Sequence, residues 1–226
     1  MARGPGACDL GPEERLSAAA PRLHVGVLPP SQQEVLRRIG PAAEAHGFYM
    51  AGGTALALQL GHRQSVDFDW FRGQEIDDPL GLASELGLDV LATSRNTLHA
   101  AAGGVKLSFL TFRYPLLEPL IRAPEFGCSL ASLRDAAAMK LAAIGQRGAR
   151  KDYFDLVALG RAGLPLDSML EAYRRKFTVA DIGHVLTALT WFDDADADAE
   201  PVLRSGDTWE DVKTTLRAWV KDAARP

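Results

Sequence analysis

Val66-Asp67-Phe68-Asp69-Trp70-Phe71 alternates apolar and acidic residues with the period of a β-strand. Val66, Phe68 and Trp70 point to one face, which reads as core, and Asp67 and Asp69 to the other. Residues two apart on a strand are separated by about 6.6 Å along it, so both carboxylates can converge on one or two cations above that face. Magnesium suits them: it is a hard ion that takes one or two carboxylates and completes its octahedron with water and substrate phosphates; manganese is the alternative. An edge strand with a solvated polar face would carry the same alternation. Asp is disfavoured in strands, however, and two of them bracketed by aromatic residues favour the metal reading. A bare Asp-x-Asp is a weak signal alone, so the neighbouring sequence matters.

Just upstream, Phe48-Tyr49-Met50-Ala51 reads as a short strand that runs through Gly52-Gly53-Thr54 into the helical stretch Ala55–Leu60, with Gly61 as its C-terminal cap. A glycine turn at a helix start exposes unpaired backbone N–H groups where the helix dipole is positive, which makes a cradle for phosphate. Gly52 and Gly53 would let a substrate approach the main chain, and Thr54 could cap the helix or donate its hydroxyl to a phosphate oxygen. An ordinary strand-to-helix turn looks the same. The short helix changes the balance, because it returns the chain directly to the acidic strand and puts the turn and the two carboxylates at one edge. His62 and Arg63 lie in the connection; Arg63 is a candidate triphosphate contact, whereas His62 reads as solvated.

Working outward, residues 1–30 are rich in Gly, Pro and Ala without a lasting apolar period and read as a flexible leader. A helix with Ser31 as N-cap and Glu34 in a capping box is expected to end near Gly47. Pro79–Leu86 reads as a helix, and Asp89–Thr93, Leu98–Ala102 and Val105–Phe112 as strands, the last pair joined through a Gly103-Gly104 hairpin turn. After Pro119 the pattern turns helical: 133–146, 152–161, 167–177, 181–192 and 209–223. The expected fold is α/β (α+β), with a mixed-sheet palm over 31–120 and a helical region over 121–226 packed on it.

The chain has 226 residues, 47% hydrophobic and 24% charged, enough for a self-sufficient core. Its formal charge of −4 excludes a protein that coats nucleic acid through bulk positive charge. With only Cys8 and Cys128, a disulfide framework or a cysteine-ligated zinc site is not credible. No signal peptide or apolar span of membrane length is evident, and a cytoplasmic protein without membrane association is expected.

In the helical region, Lys140 sits in Ala136-Ala137-Ala138-Met139-Lys140-Leu141-Ala142-Ala143-Ile144, apolar on nearly every side. A buried ammonium needs a partner: a triphosphate, or the Asp67/Asp69 pair in the free protein. A stem snorkelling to water is the alternative. Asp152 and Asp155 share a helix face; either could assist proton removal from an acceptor hydroxyl or orient Lys140, and Asp152 ranks first, although it also suits a plain helix-dipole partner. Arg147, Arg150 and Lys151 form a basic cluster that could grip a nucleic-acid backbone, and Arg174-Arg175-Lys176 a second one. The run 193–200 lacks the glycine of a calcium loop and reads as solvated.

Taken together, Ala51–Leu58, Gly61-His62-Arg63, Ser65 and Asp67–Phe71 resemble the signature of the AbiEii/AbiGii-type nucleotidyltransferase family. The resemblance continues through Gly104–Phe109, Leu133–Lys140 and Arg150–Leu156. It implies a polymerase-β-like palm with a helical C-terminal half, a divalent metal on Asp67 and Asp69, and a catalytic or phosphate-binding Lys140. It also implies an NTP substrate, a tRNA or other RNA acceptor, and a cognate antitoxin protein, since the family includes toxins of toxin–antitoxin systems. Many nucleotidyltransferases supply a third carboxylate from a later palm strand; here Ser108 stands at that position. Three readings follow: an enzyme transferring NMP from an NTP to a hydroxyl, a catalytically impaired NTP-binding module, or a sugar-nucleotide glycosyltransferase, against which the glycine turn speaks.

Overall fold

The computed structural model describes residues 22–223 and Arg225. Residues 1–21 of the expected leader, Cys8 among them, lie outside the described residues. The part of that leader that is described does not behave as one: Leu23, Val27 and Leu28 are buried against the first core, and a short 3-10 turn spans Val25–Val27.

The first helix, α1 (Pro30–Ala45), starts without the expected Ser31 cap. Pro30 takes the first helical position, where a missing N–H costs nothing, and the Gln33 amide donates instead to the carbonyls of Val25 and Leu28. Then come β1 (Tyr49–Ala51), α2 (Gly52–Leu60), β2 (Phe68–Arg72) and α3 (Pro79–Leu86). A meander follows: β3 (Asp89–Ser94), β4 (Thr97–Ala102) and β5 (Val105–Thr111), with Gly103 and Gly104 both at positive φ in its second turn, as a tight hairpin requires.

Beyond residue 120 the sheet continues, where only helices are expected from the pattern. β6 (Ile121–Ala123) and β7 (Cys128–Leu130) form a hairpin, and β7 pairs in parallel with β1. The resulting seven-stranded mixed sheet has the order β3-β4-β5-β2-β1-β7-β6. The helices that complete the chain are α4 (Leu133–Arg147), α5 (Arg150–Arg161), α6 (Leu166–Phe177), α7 (Gly183–Ala188), α8 (Asp193–Asp196) and α9 (Trp209–Ala223). No helix among the described residues is long and apolar enough to cross a membrane.

Strand alternation sorts β2 as its sequence suggests. Phe68 and Trp70 are fully buried in the core under α1 and α3, where Trp70 stacks on Phe109 at 6.1 Å and Phe48 meets Phe109 edge-on at 5.1 Å. Val66 departs from the expectation: it precedes the strand and is half-exposed. A second core lies among α4, α5, α6 and α9, and α2 joins the two, placing Leu56 in the helical core and Ala55, Ala57 and Leu58 in the sheet core.

A buried ion pair ties the helical half to the loop after β5. Lys176 and Asp135 are both fully buried and 2.6 Å apart, although Lys176 reads in sequence as one of three surface cations. Asp135 also accepts from the Leu117 and Glu118 backbone and from Ser132 Oγ, while Lys176 donates to the Pro115 carbonyl. Lys176→Met keeps the packed stem and leaves Asp135 its three other donors. The expected loss is about 3 kcal/mol, the low end for a buried pair broken from one side because those donors remain, read as a lowered urea midpoint with an unchanged slope.

Candidate active site

A cleft of about 900 Å³ opens between the sheet and α4–α6. The turn from β1 into α2 and the acidic strand meet there because β1 and β2 are antiparallel neighbours with Ala51 opposite Asp69. Gly52, Gly53, Arg63, Asp67, Asp69 and Lys140 all line it.

The two glycines have a role that spacing alone does not reveal. Gly52 sits at φ +70°, and a Cβ there would come within 2.5 Å of Asp69 Oδ2; a Cβ on Gly53 would strike Arg63 Nη2. The hydrogens of the turn thus make room for the protein's own carboxylate and guanidinium. The N–H groups of this first turn lack intrahelical partners and a side-chain cap, and Gly52 and Gly53 line the cleft.

Thr54 is spent internally. It is 1% exposed, donates its hydroxyl to the Asp67 carbonyl at 2.5 Å and lies 2.8 Å from Ser65 Oγ. Instead of facing a phosphate, it fixes the backbone that carries Asp67.

Neither the Asp67 nor the Asp69 side chain is hydrogen-bonded or ion-paired to another described residue, so two hard carboxylates stand unclaimed on one wall of the cleft. Burial raises the Asp69 carboxyl above the usual carboxylate range; Lys140 opposes this and the charge of Asp67 adds to it. The Asp69 charge, disfavoured by burial and by Asp67, is one that a divalent cation held between the two carboxylates would relieve. No group of three or more His, Cys, Asp or Glu with metal-binding geometry occurs among the described residues; water and substrate oxygens would fill the other positions. In the register of the parallel pair β2/β5, Asp69 stands beside Ser108.

Behind this wall lies a charge network. Asp155 is fully buried and accepts from Arg63 through both Nε and Nη2 (2.6 and 2.9 Å), from His62 Nε2 (2.7 Å) and from Lys140 Nζ (2.7 Å). Lys140 also meets Asp152 at 2.7 Å. Burial works against the Asp155 anion, but the charges of Lys140 and Arg63 and the hydrogen bonds from His62 and Arg63 prevail and hold its carboxyl well below the ordinary value. Lys140 is kept charged: burial opposes its ammonium, and Asp155 and Asp152 overcome that.

Several expectations are thereby revised. Lys140 lines the cleft, but its partners are Asp152 and Asp155, not the Asp67/Asp69 pair. Asp152 is fully buried behind Lys140 and does not reach the cleft, so it suits orientation of the lysine and not proton removal from an acceptor. His62, read as solvated, is 8% exposed and bound to Asp155. Arg147 and Lys151 line the cleft mouth. Arg150 does not: its guanidinium donates to the carbonyls of Ala195 and Asp196 and lies over Trp209, which also ties down part of the acidic 193–200 segment. Sequence reasoning missed His99, which lines the cleft opposite Ser108 with Nδ1 3.2 Å from Ser108 Oγ; within β4 it is a polar residue between buried Leu98 and Ala100.

Comparison with known proteins places the chain in a family and its fold among known structures. The family model described as "Nucleotidyl transferase AbiEii toxin, Type IV TA system" matches residues 34–86 and 105–222. An uncharacterized protein of Aquifex aeolicus is 34% identical over 201 residues, covering 84% of this chain and 95% of its own. Among solved structures, MenT4, a nucleotidyltransferase toxin of Mycobacterium tuberculosis, superposes with a TM-score of 0.51 at 16% identity, over 85% of this chain and 83% of its own. JHP933 of Helicobacter pylori does so with 0.50 at 17% identity, over 84% and 88%. At these identities the structural likenesses speak to the fold.

Proposed function

The chain belongs to the AbiEii nucleotidyl transferase toxin family and is a nucleotidyltransferase; from that premise we propose that it transfers a nucleoside monophosphate from an NTP to the hydroxyl of an RNA acceptor, a tRNA end first among them, and releases pyrophosphate. The observation that carries this reading is the pair of unclaimed carboxylates, Asp67 and Asp69, beside a glycine turn and a charged lysine in one cleft.

Asp67 and Asp69 would hold magnesium, with manganese as the substitute. Held there, such an ion would supply charge neutralisation at the phosphoryl group. The protein's own groups then position the substrate. The N–H groups at Gly52 and Gly53 receive phosphate oxygens, and Lys140, kept charged by Asp152 and Asp155, faces the charge that develops on the leaving pyrophosphate. Arg147 and Lys151 at the mouth take further phosphates of the triphosphate or of the acceptor backbone. Arg63, held by Asp155 and lining the cleft beside Gly53, adds positive charge at the phosphate end. The setting we propose is the cytoplasm, with toxicity restrained by a cognate antitoxin protein.

The test is incubation with each labelled NTP, magnesium or manganese, and total RNA, followed by measurement of RNA-bound label and pyrophosphate. The expected result is label in one RNA class with stoichiometric pyrophosphate. Ser108 beside Asp69 motivates a second reading, an NTP-binding module impaired in transfer; nucleotide binding without any pyrophosphate would favour it.

A further inference from the structure

The cleft has a second end that phosphate chemistry leaves unused. On β2, Phe71 follows Asp69 on the same face, about 7 Å further along the strand, and both line the cleft. On β5 the same alternation carries Ser108 through Leu110 to Phe112, whose N–H donates to the Arg72 carbonyl and so keeps it in register past the strand end. From there the rings are continuous: Phe71–Phe112 at 5.5 Å, Phe112–Tyr114 at 5.1 Å, Tyr114–Phe177 at 4.7 Å and Phe177–Tyr173 at 4.9 Å. Tyr114 is 48% exposed although large and apolar, and it lines the cleft.

We propose that this aromatic wall is a nucleobase-stacking subsite, and that the base it takes is that of the NTP. The inference rests on the transfer reading above and adds the place of the base to it. Three observations carry it. The wall belongs to the same cavity as Asp67, Asp69 and Lys140, so a ligand with its phosphates at the acidic end lies with its other end here. The backbone that carries Tyr114 is tied on its C-terminal side, where the buried Lys176–Asp135 pair holds Pro115, Leu117 and Glu118. A preorganised ring loses little entropy when a base settles on it. Finally, one half-exposed ring, Tyr114, backed by the partly exposed Phe71, Phe112 and Phe177 and joined to an anion-receiving site, matches a flat, apolar group attached to a polyphosphate. Three of the five rings are phenylalanines without a polar atom, and the Tyr173 hydroxyl is engaged by His184 Nε2 at 3.2 Å, so stacking is the main grip, and purine and pyrimidine triphosphates are held alike.

The test is titration calorimetry of the full chain with magnesium and two probes: non-hydrolysable NTP analogues, which carry a base, and inorganic tripolyphosphate, which does not. Tyr114→Ala is expected to weaken the NTP analogues by roughly tenfold with tripolyphosphate unchanged. Tyr114→Phe should retain native affinity, and Tyr114→Leu, which keeps apolar packing without a π face, should behave as Ala. Unchanged NTP affinity in Tyr114→Ala overturns the subsite, as does equal weakening of both probes. A raised KM for the RNA acceptor with native NTP affinity assigns the wall to an acceptor base and overturns the commitment to the NTP. Native protein that binds neither probe refutes the transfer reading itself, an outcome distinct from all of these.

Discussion

Asp69→Asn is expected to lower nucleotide transfer by on the order of a thousandfold or more while leaving the fold intact or slightly stabilised. The side chain is isosteric, so the close approach to Gly52 survives. What is lost is the negative charge that would hold the cation, and several kcal/mol of transition-state stabilisation correspond to three or more decades in rate. The stability arm runs in the opposite direction. Burial raises the Asp69 carboxyl, with Asp67 adding to it and Lys140 only partly opposing, so the ionised form is a cost to the native state at neutral pH. Asparagine removes that cost. Label incorporation by native, Asp67→Asn and Asp69→Asn proteins, measured beside their melting temperatures, checks both arms. Equal incorporation by all three would mean that the chemistry lies elsewhere.

Asp155→Asn is expected to be the most damaging single substitution for stability. It removes the one carboxylate shared by Arg63, His62 and Lys140, all nearly buried. Breaking a buried pair from one side costs about 3–5 kcal/mol, which for a chain of this size lowers the melting temperature by roughly 10 °C. The pH dependence gives a sharper check. A carboxyl whose native pKa lies below its unfolded value near 3.8 contributes stability that is complete above that value and lost as pH falls below it. The gap between native and Asp155→Asn proteins should therefore be constant across neutral and mildly acidic pH, then narrow in stronger acid. A gap that opens only in acid would contradict the assignment. Because Lys140 keeps Asp152, whatever variant remains folded should retain some activity, unlike Asp69→Asn.

The acidic strand, the glycine turn and the hairpin at Gly103-Gly104 were legible because each is a local pattern: an alternation of period two, a pair of glycines, a short helix between them. β6 and β7 were not, since three-residue strands carry no period, and the boundary expected near residue 120 falls short of the sheet as a result. The charge network was half legible. Lys140 on an apolar helix demanded a partner, and orienting Lys140 was one of the two roles open to Asp152 and Asp155. The partners of Asp155 are His62 and Arg63, more than ninety positions away, and pairing of that range leaves no local trace. An available signal went unused: two acids on the buried face of one helix require cations from elsewhere, and the turn after Gly61 supplies them. Lys176 illustrates the opposite error, because a run of three cations reads as one solvated face although the helix turns its third member inward.

Gly52 and Gly53 also carry information about residues other than themselves. Each hydrogen there is matched to one side chain across the gap, Asp69 for the first and Arg63 for the second. In a relative that has discarded Asp69 the crowding at position 52 disappears, although the left-handed backbone still discourages a larger residue. At position 53, where no such backbone demand exists, alanine or serine becomes tolerable once Arg63 is gone. A side chain at position 53 is thus coupled to the arginine: it asks the guanidinium to shift or to go, and where the guanidinium goes the buried Asp155 rests on Lys140 and His62 alone.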